Sequence, residues 1–480
     1  MQRKFLSNLM LIVLLNLLVK PLAIFGIDAE VQNVVGTQEY GLYFSLLNFT
    51  YIFNILLDLG ITNYNTKYVA QHPHLVKRYM GKIIPLRLLL FLIYVVVSIG
   101  IALLMGYNLK QLAFLGVLIV NQFLISVILF LRSYFAGLML FKIDILLSVL
   151  DKFILILLAG YLLYFSADKA SFTMNWFVGA QLISYALSAC IAIGLILSKI
   201  GIPKPTWSPA FSKVMLRNSL PYALLILLMM LYNRVDAVMI ERLHPAGQAQ
   251  AGIYAQSFRI LDALLMFAML FSNLLFPIFA RLIRDKQSIV TLLNSASRML
   301  LSFSIIAACC AFFYAETILS WIYRGALNQS LPVFSWLMLS FVPICITLIY
   351  GTLLTANGSL RILNKLSFVG LLANVFLNVI FIQYWGAWGA ALATLLTQTA
   401  VAVLQLVFVS KYFQLQFNLL HLARYLGFVG WLISTVLLNE HFSDGNATLT
   451  VFFGSSVVAL FVFRMLDWKT LLGLLRKNHS

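Results

Sequence analysis

Arg234 and Asp236 stand in the stretch "YNRVDAVMI", Tyr232–Ile240, at the far end of an apolar run that opens at Leu220. Holding a charge inside a membrane is costly, so an ionisable side chain there is a functional candidate by default. Two residues apart on a helix, the pair point to different sides and do not simply neutralise each other. A guanidinium is permanently charged and presents forked donors that fit phosphate or carboxylate oxygens. Lys20 closes a second apolar run, about 24 Å of helix beyond the basic tip Arg3–Lys4. Arg259 and Asp262 lie in a third, three residues apart and on one helical face. Lys20, Arg234 and Arg259 therefore form the expected substrate-binding set, a cationic lining in the outward half of a central cavity. Asp236 and Asp262 are candidates for ion coupling or for charge pairing. Each has a structural alternative: Lys20 snorkelling to the headgroups, Arg259 pairing with Asp262, and Asp236 at the interface or beside Arg242. Asp58 and the adjacent Asp151–Lys152 are expected near cytoplasmic helix ends, in structural roles.

The elements that must position these charges follow from composition. Of 480 residues, 62% are hydrophobic and 10% charged, against about 25% charged in a soluble domain. The chain is expected to be an all-α integral membrane protein. Apolar runs of spanning length predict about fourteen transmembrane helices. They fall at 5–26, 40–60, 83–105, 112–131, 143–165, 172–198, 219–241, 252–279, 299–319, 331–355, 366–383, 387–410, 424–439 and 448–464. The opening apolar run is too long for a signal peptide and lacks a small-x-small cleavage site, so it is expected to be a retained span.

The net charge of +18 has its cause in topology. With the N-terminus inside, about 26 of the 33 basic residues fall on one side, while the Gly26–Glu39 loop carries none. Both termini are thus expected to be cytoplasmic. No nucleic-acid motif accompanies the charge, and nucleic acid is excluded as a partner. Cys190, Cys309, Cys310 and Cys345 lie in apolar runs without ligand spacing, and His72–Pro73–His74 is a solvated loop pair, so neither a metal nor a cofactor is expected.

The second half echoes the first. "EYGLYFSL" (Glu39–Leu46) leads into the second span and "QAGIYAQSF" (Gln250–Phe258) into the eighth, each with Gly-apolar-Tyr at the same topological position. Parallel repeats with a substrate site at their interface are a transporter pattern. The expected division is an N-terminal six-helix lobe (1–200), a C-terminal six-helix lobe (201–422), and two extra helices with a tail (423–480). External loops are short, which disfavours a membrane enzyme shaping a site outside.

Several stretches resemble polysaccharide flippases of the multidrug/oligosaccharidyl-lipid/polysaccharide (MOP) exporter superfamily. They are "NLLVKPLAIFGID", "GTQEYGLYFSLLNF", "ILLDLGITNYNTKYVA", "YNRVDAVMI", "LLANVFLNVIFI" and "GAWGAALATLLTQ". In the last, Gly386 and Gly389 are small residues that let helices approach closely. The resemblance implies two six-helix lobes in a V, as in MATE transporters, that alternate between inward- and outward-open states. It implies movement of undecaprenyl-pyrophosphate-linked oligosaccharide repeat units from the cytoplasmic to the periplasmic leaflet of the inner membrane. The lipid bilayer and other polysaccharide assembly proteins are the implied partners, and O-antigen or lipopolysaccharide synthesis is the implied setting. The alternatives are a lipid II flippase, a drug exporter of the same superfamily, and, from a different class, a membrane polysaccharide polymerase or ligase.

Overall fold

The computed structural model describes residues 15, 18–165, 172–415, 419–440 and 445–465, and every regular element among them is helical. The start of the first expected span and the basic tail beyond residue 465 lie outside the described residues. Among the described residues, ten helices are long and apolar enough to cross a membrane. Two of these each contain two of the expected spans, joined by a glycine. Leu18–Asp58 turns at Gly36 (φ 83°, ψ 169°), and Leu360–Tyr412 turns at Gly386 (φ 56°, ψ −130°). The helices Pro209–Leu243 and Gly445–Val462 account for the remaining two of the fourteen. The chain is an all-α, multi-pass membrane protein.

It divides into two compact units, Met1–Glu241 and Arg242–Ser480. The first unit opens with a π-helical segment, Leu22–Asp28, followed by α1 (Ala29–Phe53) and α2 (Ile55–Asp58). Next come α3 (Ile61–Gln71), α4 (Val76–Leu104), α5 (Leu109–Gly137) and α6 (Phe141–Gly160). A second π-helical segment, Tyr161–Phe165, extends α6, and α7 (Met174–Ile200) and α8 (Pro209–Leu243) complete the unit.

The first span does not end at residue 26, where hydropathy falls; the helix runs on to Gly36. Asp28 makes this possible, because its carboxylate is buried and accepts a hydrogen bond from the Tyr40 hydroxyl at 2.8 Å. Lys20 accordingly lies about 24 Å of helix short of the Gly36 turn, not near the outward end of its span.

"ITNYNTKYVAQ", expected to be loop, is the helix α3. Its apolar face, Ile61 and Val69, enters a core built with Val76, Tyr79, Tyr134 and Phe135. Asp58 accepts from the Thr62 N–H at 3.1 Å and satisfies a donor that the helix start would otherwise leave open. Gly137 lets α5 come close, since a Cβ there would stand 2.8 Å from the Val69 side chain. Arg87 of α4 fixes the corner. It pairs with Asp58 at 3.2 Å, donates to the Ser126 carbonyl at 3.2 Å, and covers the Phe130 ring at 4.4 Å.

The second unit contains α9 (Gly247–Arg284), α10 (Val290–Phe313), α11 (Ala315–Ile322), α12 (Leu327–Leu339) and α13 (Phe341–Ala356). It continues with α14 (Leu360–Tyr412), α15 (Leu419–Glu440) and α16 (Gly445–Val462). The last two pack on α10 through Phe428, Leu432 and Phe452 against Cys310 and Tyr314.

At Gly386 the backbone adopts a conformation that only glycine holds without strain, and the following N–H, that of Ala387, donates to Gln250 Oε1 at 2.9 Å. A Cβ at Gly386 would collide with the same carboxamide. Gly386→Ala is therefore expected to destabilise the second unit by about 1–3 kcal/mol. Thermal unfolding in detergent reads this out, and an unchanged midpoint would mean that the turn relaxes without cost.

Candidate functional site

The charges of the first unit do not stand alone. Arg234, about 14 Å of helix inside the end of α8, donates from Nη1 to Asn48 Oδ1 at 3.3 Å. Its guanidinium carbon lies 5.4 Å from the centroid of the Tyr51 ring. Asn48 is buried, and its amide nitrogen is committed to the Phe44 carbonyl at 2.7 Å, which turns the oxygen toward the arginine. Residues 48 and 51 share a face of α1, so one turn of that helix cradles the guanidinium.

Tyr51 also stands within electrostatic reach of Lys152. The Lys152 ammonium donates to the Tyr185 hydroxyl of α7 at 3.1 Å, lies 5.0 Å from the Tyr185 ring centroid, and pairs with Asp151 at 3.3 Å. Ser184, one residue before that tyrosine, donates its hydroxyl to the Asp151 carbonyl. Lys20, half-buried, is within electrostatic reach of Asp151, Arg132 and Lys152. Arg132 Nε in turn donates to Asp144 Oδ1 at 2.7 Å.

The arrangement is a connected set of charges inside one unit. Among the described residues named here, Lys20, Arg132, Lys152 and Arg234 are cations and Asp144 and Asp151 carboxylates, so cations outnumber carboxylates in this group. In a low-dielectric interior such an excess attracts an anion more strongly than it would in water. Tyrosine rings and an asparagine carboxamide partly compensate the cations without cancelling their charge.

Lys20 and Arg234 thus fall in the same unit. Lys152 joins them against expectation, because Asp151–Lys152 reads from the sequence as a pair near a cytoplasmic end. The helix places Lys152 eleven residues into α6, about 16 Å from its start and near the middle of the apolar Phe141–Phe165 helix. A signal is present: "DK" interrupts an otherwise apolar run, as Arg234 does in its own helix.

Asp236 is 2% exposed and within electrostatic reach of Tyr232, so it is a buried carboxylate and not an exposed rim residue. Farther along α8, Glu241, also buried, accepts from the Tyr107 hydroxyl at 3.1 Å. Arg259 and Asp262 belong to the second unit, where both are half-buried on α9, Arg259 about 18 Å from its start. Close by in sequence, Gln256 accepts from the Ser330 hydroxyl and donates to the Gly325 carbonyl at 3.1 Å. Among the described residues no three His, Cys, Asp or Glu side chains gather as a metal site.

Comparison with known proteins adds three findings. The family described as "Polysaccharide biosynthesis protein" matches residues 5–283. An uncharacterised membrane protein of Methanocaldococcus jannaschii is 24% identical over 380 residues, covering 77% of this chain and 89% of that protein. Among solved structures, the lipid II flippase MurJ in an inward closed conformation aligns with a TM-score of 0.74 at 14% identity, covering 96% of this chain and all of that one. An inward-facing multidrug resistance MATE family transporter of the MOP superfamily aligns with a TM-score of 0.64, also at 14% identity, over 83% of this chain and 94% of that one. At such identities the likeness establishes the MOP-type fold.

Proposed function

The chain belongs to the polysaccharide biosynthesis protein family, and on that premise we propose that it flips a lipid-linked oligosaccharide across the membrane by alternating access. The observation that supports this reading is the group of half-buried cations in the first unit, centred on Arg234 above Tyr51 and Lys152 beside Tyr185. A pyrophosphate-linked glycan is anionic where the sugar meets the lipid. Arg234, beside the Tyr51 ring and the Asn48 carboxamide, and Lys152, beside the Tyr185 hydroxyl and Asp151, would compensate that charge while the head leaves water.

The substrate we propose is an undecaprenyl-pyrophosphate-linked repeat unit, carried from the cytoplasmic to the periplasmic leaflet of the inner membrane, with both termini cytoplasmic. Lys20 and Arg234 act on its phosphates, and Arg259 of the second unit serves as a further cation. Asp236 and Asp262 remain the proposed coupling or pairing carboxylates. An inside-negative potential would favour outward movement of the anionic head by about 2.3 kcal/mol per charge per 100 mV.

A second reading, lipid II as the substrate, is favoured by the fold shared with MurJ over nearly the whole chain. Purified protein in vesicles, given a fluorescent lipid-linked oligosaccharide or fluorescent lipid II, separates the two. A membrane-impermeant quencher measures how much label leaves the protected leaflet. The expected result is transfer of the lipid-linked oligosaccharide above protein-free vesicles. Transfer of lipid II alone would move the assignment to the second reading, and transfer of neither would overturn both.

A further inference from the structure

The two π-helical segments of the first unit face one another. Leu22–Asp28 lies on the opening helix and Tyr161–Phe165 on the extension of α6, and the Tyr164 hydroxyl donates to the Gly26 carbonyl at 2.9 Å. Between them runs a groove of about 460 Å³ lined by Leu22, Gly26, Ile27, Ile156, Gly160 and Tyr164 among others. That volume is within the range of small-molecule sites, and π-helical turns recur at functional positions. Its rim is exposed: Leu22 is 56% and Leu157 57% accessible. Gly26 and Gly160 add no side chain to it, and a Cβ on them would meet Leu22 at 3.3 Å and Ile27 at 3.5 Å.

The groove's position gives it a meaning beyond an apolar surface. Ile156 is one helical turn past Lys152 on the same face of α6, and Ile27 is seven residues past Lys20 on the opening helix. On both helices the apolar groove therefore lies C-terminal to the cations, and Lys20 and Asp151 stand within electrostatic reach of one another. A single ligand that met both features would have an anionic head and a long apolar tail.

We propose that this groove seats the tail of the lipid-linked substrate, with Lys20 and Lys152 at the end where its phosphates lie. The proposal rests on the reading of the substrate given above, and it assigns a tail site that the cations alone do not define. Widened π-turns and glycines give the groove room for a branched isoprenoid chain, and the exposed rim lets that chain enter sideways from the bilayer.

The test uses the full-length protein in vesicles and a polyprenyl phosphate with a photoreactive group on its tail. Cross-links are expected on the groove segments 22–28 and 156–165. Unlabelled polyprenyl phosphate should displace them and an equal excess of phosphatidylglycerol should not. Gly160→Leu fills the groove, and Leu157→Trp crowds its exposed rim with little demand on folding. Each is expected to lower both cross-linking and flipping by about tenfold, the worth of a few lost apolar contacts. Gly194→Leu, which adds the same bulk at an exposed position with nothing within 4 Å, is expected to leave both unchanged.

Equal displacement by phosphatidylglycerol would make the groove an ordinary lipid contact and overturn the proposal. So would wild-type flipping by both groove variants at equal protein levels. Failure of the wild-type protein to flip any lipid-linked glycan, with the cross-links intact, would overturn the substrate reading and leave a lipid-tail site standing.

Discussion

Arg234→Gln, inserted at the wild-type level, is expected to lose about ten- to a hundredfold in flipping rate, the worth of one charge-assisted hydrogen bond. Glutamine keeps an amide donor on α8 while the charge disappears. Arg234→Lys keeps the charge but not the fork, and an intermediate loss is expected. The distinction matters because Arg234 lies 5.4 Å from the Tyr51 ring, a contact that a purely structural cation would also make. A structural role predicts that Gln lowers the melting temperature and flipping together. An anion-binding role predicts lost flipping at an unchanged melting temperature. Wild-type transport by the Gln variant would remove Arg234 from the site.

The second large effect concerns stability. Arg87 is 6% exposed and its partner Asp58 27%. Removing one member of this partly buried pair leaves the other without its ion partner, at about 1–3 kcal/mol. Arg87→Met is therefore expected to unfold the first unit at markedly lower temperature, because Asp58 also holds the start of α3 through Thr62. Asp58→Asn leaves the more deeply buried Arg87 without its carboxylate, although asparagine can still accept from the Thr62 N–H, so a comparable loss is expected. The double variant should recover part of the loss, because no bare charge remains. Thermal unfolding of the four proteins in one detergent measures the coupling. Strict additivity of the two single effects would show that the pair contributes nothing as a pair.

The charged residues divide according to how much of their environment is local. Arg234 is legible because it interrupts an apolar run, and that interruption is written in the chain. Lys152 interrupts a run in the same way, yet adjacent Asp151 makes it look like a self-neutralised pair near a helix end. The structure shows the same pair at mid-helix, with Tyr185 of α7 on the ammonium. No property of α6 alone names a tyrosine 33 residues away. The depth of Lys20 is hidden for a related reason: Asp28 and Glu30 look like the start of a loop. Helix there depends on Asp28 being paired with Tyr40 beyond the Gly36 turn.

α3 shows the converse. Its polar sequence is a loop by composition, and it is helical because Asp58, Arg87 and the close approach at Gly137 hold one face against a core. The groove between the π-helical segments has no counterpart in the sequence at all. Its walls are ordinary apolar residues, and only their meeting across two helices makes a cavity.

By itself the sequence determined that this chain is a many-spanning helical membrane protein. Hydropathy is a local sum, and the bilayer obliges each apolar run to satisfy its own backbone as helix. Tertiary structure decided which charges share a site, how deep each one lies, and where an apolar groove opens. Those outcomes depend on pairings between helices distant in sequence, and burial energies of that kind are properties of the packed pair, not of either partner alone.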